Sequence, residues 1–369
     1  MSFLKLLQSL DLKGVLSKVK QATWEDVLFV LQKDRLTFED YLILLSEPAL
    51  ERLEDLIQKA RALTVRFFGK TILFYVPLYL SNECVNRCVY CGFQAGVAGR
   101  RLTLSLEQVA QEAEVLYQKG FRHLLLVSGE NRKQVTLEYL KKAVSMLHRK
   151  FASISLEIFP LEEWEYRQLL EAGVEGITIY QEVYNRELYQ KYHPAGAKAN
   201  YEFRLLTAER AAQAGFYRIN IGALLGLGRW PEEPALLGLH AWYLRKKFWR
   251  SHIAISFPRL KLSAAHFSPP FPISDRQIMQ LICALRIFLP SAGLVLSTRE
   301  RPQLRDQLIT FGITQISAES RTSPGGYTQG ETQTQFEIED RRSLLEIMES
   351  LKKLGYDPVL KDWDREFIA

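Results

Sequence analysis

Three of the chain's four cysteines fall in one short stretch, Cys84-Val85-Asn86-Arg87-Cys88-Val89-Tyr90-Cys91-Gly92-Phe93. This C-x3-C-x2-C spacing puts three thiolates within reach of one point, with no fourth sulfur nearby. A closed structural zinc site takes four protein ligands, usually in two spaced cysteine pairs. Cysteine thiolates also hold iron–sulfur clusters. A cubane held by three of them leaves one iron open, and an open coordination position is what catalysis at a metal requires. Tyr90 before the last cysteine and Gly92-Phe93 after it suit a loop that wraps and shields a cofactor. The expectation is one 4Fe–4S cluster on Cys84, Cys88 and Cys91. A zinc-stabilised binding module without catalysis is the reading from a different class.

Composition bounds the rest. At 369 residues, 47% hydrophobic and 24% charged, the chain is an ordinary globular protein long enough for a barrel of eight βα units plus extra segments. Few cysteines, clustered this way, argue for a reducing cytoplasm over a disulfide framework. The formal charge of +6 is spread along the chain, with short runs at Arg100-Arg101, Lys141-Lys142, Arg245-Lys246-Lys247 and Arg341-Arg342. Such runs read as solvated helix faces, so no nucleic-acid partner is expected. The start, Met1-Ser2-Phe3-Leu4-Lys5, shows no secretory signal. The longest apolar run, Thr71 to Leu80, is too short to span a bilayer, so no membrane is expected.

Residues 1–65 read as a helical extension, with helix starts at Thr23-Trp24-Glu25-Asp26 and Thr37-Phe38-Glu39-Asp40. From there, residues 66–369 alternate apolar β-branched runs with helical periodicity. Eight strands are expected at 71–80, 122–128, 153–159, 176–181, 217–222, 253–257, 294–297 and 313–317. Gly120, Gly173, Gly215, Gly293, Gly312 and Gly355 follow helical segments as left-handed caps would. The fold class is α/β, a (β/α)8 TIM-type barrel. An open doubly wound sheet is the runner-up, but no G-x-G-x-x-G or Walker sequence is there for it to use.

In such a barrel the site lies on the loops after the strands. All eight strands end in polar or glycine-rich sequence: the cysteine loop, Ser128-Gly129-Glu130, Glu157-Ile158-Phe159-Pro160 and Gln181-Glu182-Val183-Tyr184. Gly222 to Gly228, Ser256 to Arg259, Ser297-Thr298-Arg299-Glu300 and Ser317 to Tyr327 complete the set. Together they suit a small, charged, zwitterionic ligand. Glu130 can accept from an ammonium group. Gly222, Gly226 and Gly228 leave room for a flat ring or ribose. Arg321 beside Ser320 can clamp a carboxylate.

The cysteine loop resembles the radical S-adenosylmethionine signature. From that loop to the C-terminus the chain resembles the tyrosine lyases of bacterial thiazole biosynthesis, the 2-iminoacetate synthase family. The carrying segments are the loop itself, Ile179 to Tyr184, Ile221 to Leu227, Ser256 to Leu260, Ser320-Arg321-Thr322 with Pro324-Gly325-Gly326-Tyr327, and Lys361-Asp362-Trp363-Asp364. The resemblance implies that a 5′-deoxyadenosyl radical takes a hydrogen atom from L-tyrosine, after which the Cα–Cβ bond breaks to give p-cresol and 2-iminoacetate. It implies Cys84, Cys88 and Cys91 as cluster ligands. Tyr90, Ser128, Gly129, Glu130, Glu157, Arg204 and Gly222 would contact S-adenosylmethionine. Gln181, Glu182 and Tyr184 would line the shared cavity, and Ser320 with Arg321 would hold the tyrosine carboxylate. Glu319 stands where a small residue is expected. Thazole synthase would consume the product, and a flavodoxin or ferredoxin would supply the electron. A substrate change to tryptophan or another aromatic amino acid is the nearest alternative. The related hydrogenase-maturation lyases need further cysteines for a second cluster, whereas Cys283 lies in an apolar helix stripe as a buried thiol would.

Overall fold

The computed structural model describes residues 1–263 and 265–361. Asp362-Trp363-Asp364, part of the resemblance, lie outside the described residues. Eight parallel strands close on one another: β1 (Thr71–Ser81), β2 (His123–Ser128), β3 (Ser153–Glu157), β4 (Gly176–Glu182), β5 (Arg218–Ala223), β6 (His252–Ser256), β7 (Gly293–Leu296) and β8 (Gln315–Ser317). They pair in chain order from β2 to β8, β8 pairs with β1, and β1 pairs back with β2. That closure is a (β/α)8 barrel and excludes the open sheet. Strands covered on both faces read as near-continuous apolar runs, which is why the sequence showed them.

Alternation splits β1 between two cores. Phe74, Val76, Leu78 and Leu80 join the large outer core beneath the helices. Tyr75 and Tyr79 point the other way, into an inner cluster with Leu125, Val127, Ala254, Val295 and Phe93, against which Cys84 and Cys91 pack. The floor under the cysteines is therefore built by the inward residues of the barrel itself.

A ninth strand, β9 (Asp357–Val359), had no clear signal in the sequence. It pairs in parallel with Thr71–Leu73 of β1. β2 joins β1 only from Val76 upward, so β9 covers the lower edge that β2 leaves unpaired.

Six helices between Phe3 and Phe68 precede the barrel, and the last, Leu53–Phe68, runs through residue 65. Thr23 and Thr37 form capping boxes with Asp26 and Asp40. The helices lie against the barrel's outer helices: the Tyr41 hydroxyl donates to the Pro234 carbonyl at 2.8 Å, and its ring stacks on Phe288 at 4.7 Å. Gly120, Gly173, Gly215, Gly312 and Gly355 have positive φ after their helices. Gly293 does not: it opens β7, where a Cβ would meet Ala254 and His252 at 3.0 Å.

Candidate active site

The cysteine loop leaves the top of β1 and is tied down on three sides. Asn82 is buried; its amide donates to the Arg100 carbonyl at 2.9 Å and accepts from Leu102 N–H at 2.7 Å. Arg101 then reaches under the loop. Its guanidinium donates to the carbonyls of Asn82, Phe93, Gln94 and Val97 at 2.7–2.9 Å. The run Arg100-Arg101 is thus not simply a solvated helix face, since Arg101 staples the two arms of the loop. On the β2 side Val85 N–H donates to the Glu130 carbonyl at 2.9 Å, and Gly129 N–H to Ser81 at 2.9 Å. On the β4 side a short helix, Arg186–Tyr192, not foreseen from sequence, carries the chain back beneath the loop. Arg87 N–H donates to Ala195 at 3.0 Å and Val89 N–H to Tyr192 at 3.1 Å.

Hydrogen bonds from a charged donor are the stronger kind, and four of them on one guanidinium fix a loop that has no regular structure. Arg101→Met is expected to leave the barrel folded but to shorten the lifetime of a bound cluster at least about tenfold, as supporting residues around metal sites commonly do. Following cluster absorbance in the presence of a chelator checks it.

Tyr90 sits between the last two cysteines with its hydroxyl 2.8 Å from His193 Nε2. His193 Nδ1 lies 2.8 Å from the Tyr189 carbonyl, so Nδ1 carries the proton and Nε2 accepts from Tyr90. Burial, with the nearby Lys198 charge, drives the His193 pKa down to about 2, so the ring stays neutral. Tyr90 therefore acts as a wall of the loop with its polar end already satisfied.

Burial pushes the Cys88 thiol up to about 12 and the Cys91 thiol to about 11, with the neighbouring cysteines adding to it and Lys198 opposing. Such thiols are inert as nucleophiles; a bound metal reverses that by deprotonating them outright. All four cysteines are free. Among the described residues no three His, Cys, Asp or Glu side chains converge tightly enough to hold one metal ion. A single zinc needs its donors around one point, whereas a cubane's thiolates each meet a different corner. Three thiols over an apolar floor fit the larger group.

Beside the cysteines lies a polar network. The Asn86 amide donates to Glu130 at 2.6 Å and accepts from Lys198 N–H at 2.9 Å. Glu182, in a left-handed turn with φ 70°, lies 2.7 Å from Lys198 Nζ and 3.5 Å from Arg204. Arg204 is buried and also donates to the Tyr180 carbonyl at 2.7 Å. Two cations thus share one carboxylate. Across the barrel Glu157 ends β3 with its carboxyl pushed up to about 7 by burial and by the Glu182 charge, against the pull of Arg299, Lys198 and Arg204. Both ends of the Gln181 amide, and the hydroxyls of Ser128 and Ser320, are buried without a partner. Buried polar atoms left unpaired are costly, so each of these is a group that a polar ligand could satisfy.

Several expected residues sit elsewhere. The chain slips register between Tyr180 and Glu182, and with the left-handed turn this carries Tyr184 outward, away from the cavity. Tyr184 is buried against Phe3 and His240, its hydroxyl 2.9 Å from His240 Nδ1. The space left by the absent side chain of Gly222 is filled by the Tyr180 ring and the Ser256 carbonyl, so that glycine serves the packing of adjacent strands. The Gly228 space is likewise filled by Glu233. Arg321 is 47% exposed and faces Glu331 at 3.7 Å, at the rim and not in the interior. Glu319 adopts φ 47° and turns its carboxylate outward, where it accepts from Leu344 N–H at 2.8 Å and pairs with Lys119.

Sequence reasoning did not single out Lys198 or Arg299. Lys198 rides on a single 3-10 turn, Ala197–Ala199, with no periodicity to flag it. Arg299 stood among the polar residues after β7 without a role; the structure buries it and stacks its guanidinium 3.4 Å from the Phe336 ring centroid.

Comparison with known proteins agrees with this geometry. The family model for the radical SAM superfamily matches residues 78–236, and the biotin and thiamin synthesis associated domain matches residues 256–357. The 2-iminoacetate synthase of Escherichia coli (strain K12) is 38% identical over 359 residues, 97% of this chain and 95% of that protein. The crystal structure of the FeFe-hydrogenase maturase HydG from Carboxydothermus hydrogenoformans superposes with a TM-score of 0.89 at 36% identity, covering 98% of this chain and 85% of that one. The methylornithine synthase PylB shares the fold alone, with a TM-score of 0.71 at 20% identity. With its three-thiolate loop on a closed barrel and near full-length identity to curated relatives, the chain belongs to the 2-iminoacetate synthase family of radical SAM lyases.

Proposed function

We propose that the protein cleaves the Cα–Cβ bond of L-tyrosine, giving 2-iminoacetate and p-cresol for thiazole assembly in the cytoplasm. The observation that carries this reading is the near full-length identity to proteins named 2-iminoacetate synthase, together with a cavity holding two cationic poles for two amino-acid ligands. As a radical SAM enzyme of this family it works with one 4Fe–4S cluster and S-adenosylmethionine, which together, when reduced, supply a 5′-deoxyadenosyl radical able to take one hydrogen atom from the substrate.

The chain's own residues do the rest. Cys84, Cys88 and Cys91 would hold the cluster. Arg204, with Lys198, offers positive charge to the S-adenosylmethionine carboxylate. Ser128, Gly129 and Glu130 meet its ammonium end, and Glu157 accepts from its ribose. The unpaired amide of Gln181 and the carboxylate of Glu182 face the space the two ligands share. Ser320 offers its unpaired hydroxyl to the tyrosine carboxylate, and Arg321 at the rim exchanges Glu331 for that carboxylate as tyrosine arrives. The barrel wall keeps water from a reactive carbon radical. Cys283 is fully buried, its thiol raised by burial, and takes no part in the site. Thiazole synthase is the proposed consumer, and a flavodoxin or ferredoxin the proposed electron donor.

Glu157 gives this reading a pH signature. Its folded pKa lies above the ordinary carboxylate value, so it keeps its proton up to about pH 7 and becomes the stronger, charged acceptor only above that. Affinity for S-adenosylmethionine is expected to rise as pH increases from 6 to 8. Glu157→Gln should flatten that rise, as binding isotherms at several pH values would report.

The function itself is tested by anaerobic reconstitution with dithionite, S-adenosylmethionine and tyrosine. The expected products are p-cresol and glyoxylate, the hydrolysis product of 2-iminoacetate. Accumulation of 5′-deoxyadenosine without p-cresol would keep the superfamily and reject tyrosine.

A further inference from the structure

The helix Glu232–Lys247 opens on two acidic residues, as a helix N-terminus favours. One of them reaches well beyond its own helix. Glu233 is buried, and both of its oxygens accept from the segment after β4: Oε2 from Tyr184 N–H at 2.7 Å and Oε1 from Asn185 N–H at 3.1 Å. Its stem crosses Gly228, where a Cβ would overlap Glu233 Cγ, so bare backbone is what lets it through. Glu232, by contrast, takes only the Asn185 side chain, at 2.9 Å. Burial pushes the Glu233 carboxyl up to about 8, against the pull of the two N–H groups and with Glu232 adding to the rise. A carboxylate held in so dry a place contributes little to stability that an apolar side chain could not.

Tyr184 and Asn185 follow closely on the left-handed residue of the site. Glu182 has φ 70°, a conformation that a residue with a side chain keeps only where its surroundings impose it. Two neutral bonds help: Leu224 N–H donates to the Glu182 carbonyl at 2.8 Å, and the Tyr201 hydroxyl to the Tyr184 carbonyl at 2.7 Å. Glu233 adds charge-assisted bonds to two successive backbone N–H groups, the stronger kind. Gln181, just before the turn, has no partner for either end of its amide, so the backbone sets its direction as well. Glu182 in turn is the carboxylate shared by Lys198 and Arg204. We infer that Glu233 is a positioning residue: by holding the backbone of Tyr184 and Asn185 it fixes the turn at Glu182, and through Glu182 it aims the two cations offered to the S-adenosylmethionine carboxylate. This rests on the reading of Arg204 and Lys198 given above.

The test uses the anaerobically reconstituted enzyme at pH 9, above the value to which burial pushes Glu233, so that its carboxylate is charged. Binding of S-adenosylmethionine is measured by calorimetry for wild type, Glu233→Gln, Glu182→Gln, the double variant and Glu232→Gln. Glutamine keeps the size of Glu233 but turns an NH2 group toward one of the two N–H donors. The expected result is binding weakened at least about fivefold in Glu233→Gln and changed less than about twofold in Glu232→Gln, which touches no backbone of the turn. Added to Glu182→Gln, the Glu233→Gln change should cost less than about a further twofold, because its effect runs through Glu182. Iron content should stay that of wild type throughout. The same weakening with and without the Glu182 carboxylate would mean a packing role and overturn the inference. Unchanged binding in Glu233→Gln, or equal loss in Glu232→Gln, would overturn it too. Arg204→Met that binds S-adenosylmethionine as wild type does would reject the cationic pole and this inference with it. A wild type that binds S-adenosylmethionine but forms no p-cresol would reject the tyrosine reading alone, since none of these binding measurements uses tyrosine.

Discussion

Cys88→Ala is expected to give a folded barrel that retains no stable cluster and forms no detectable p-cresol or 5′-deoxyadenosine. Cys88 is buried at the centre of the loop, and its thiol has no role in the outer packing that a methyl group could not nearly fill, so the stability cost should be about 1 kcal/mol. The chemical cost is total, because two thiolates cannot hold a cubane that was built on three. Cys84→Ala and Cys91→Ala should behave alike. Cys283→Ala should keep the full iron content and activity, since Cys283 lies in the outer core of the helix Asp275–Phe288. Circular dichroism, iron and sulfide analysis and product formation on the four variants separate loss of fold from loss of the site. Turnover in any of the three loop variants would sink the assignment.

Gly129→Ala is the second large effect. The backbone there is not left-handed, so alanine meets no conformational strain. The obstacle is space: a Cβ would overlap the Glu83 carbonyl oxygen and stand 3.0 Å from its carbon and 3.2 Å from Cys84 Cβ. Backbone cannot swing aside as a side-chain tip can, so the first cysteine must move. Overpacking of this kind costs about 1–3 kcal/mol, and here it falls on the segment that positions a cluster ligand. The expected result is a protein that folds but binds S-adenosylmethionine at least about tenfold more weakly, the equivalent of about 1.4 kcal/mol. Gly96→Ala, in the same loop region with only Gln94 at 3.5 Å, is the matched control and should bind normally. Calorimetric titration of both variants with S-adenosylmethionine checks the pair.

The barrel was legible because parallel strands covered on both faces leave continuous apolar runs, and each of the eight reads that way. Three things were not written in spacing. β9 is three residues long and exists only because β1 overhangs β2 at its lower end. Tyr184 seemed to follow Gln181 and Glu182 into the cavity; a register slip and one left-handed residue send it outward instead, and neither leaves a local sequence mark. Arg299 and Arg321 look alike as arginines after adjacent strands, yet one is buried on Phe336 and the other faces Glu331 at the rim. The cysteine motif, by contrast, was fully legible because ligand chemistry dictates its spacing whatever the packing around it. Its supports, Arg101, Asn86 and His193, became visible only once the loop was folded against β2 and the segment after β4.

The claim beneath all of this is that three sulfurs hold a cubane whose fourth corner is left for an amino-acid ligand. Electron paramagnetic resonance of the anaerobically reconstituted, dithionite-reduced protein, before and after addition of S-adenosylmethionine, tests it most directly. The account predicts the signal of one reduced 4Fe–4S cluster per chain that changes shape when S-adenosylmethionine binds. A cluster signal indifferent to S-adenosylmethionine, or a colourless protein carrying zinc, would contradict it.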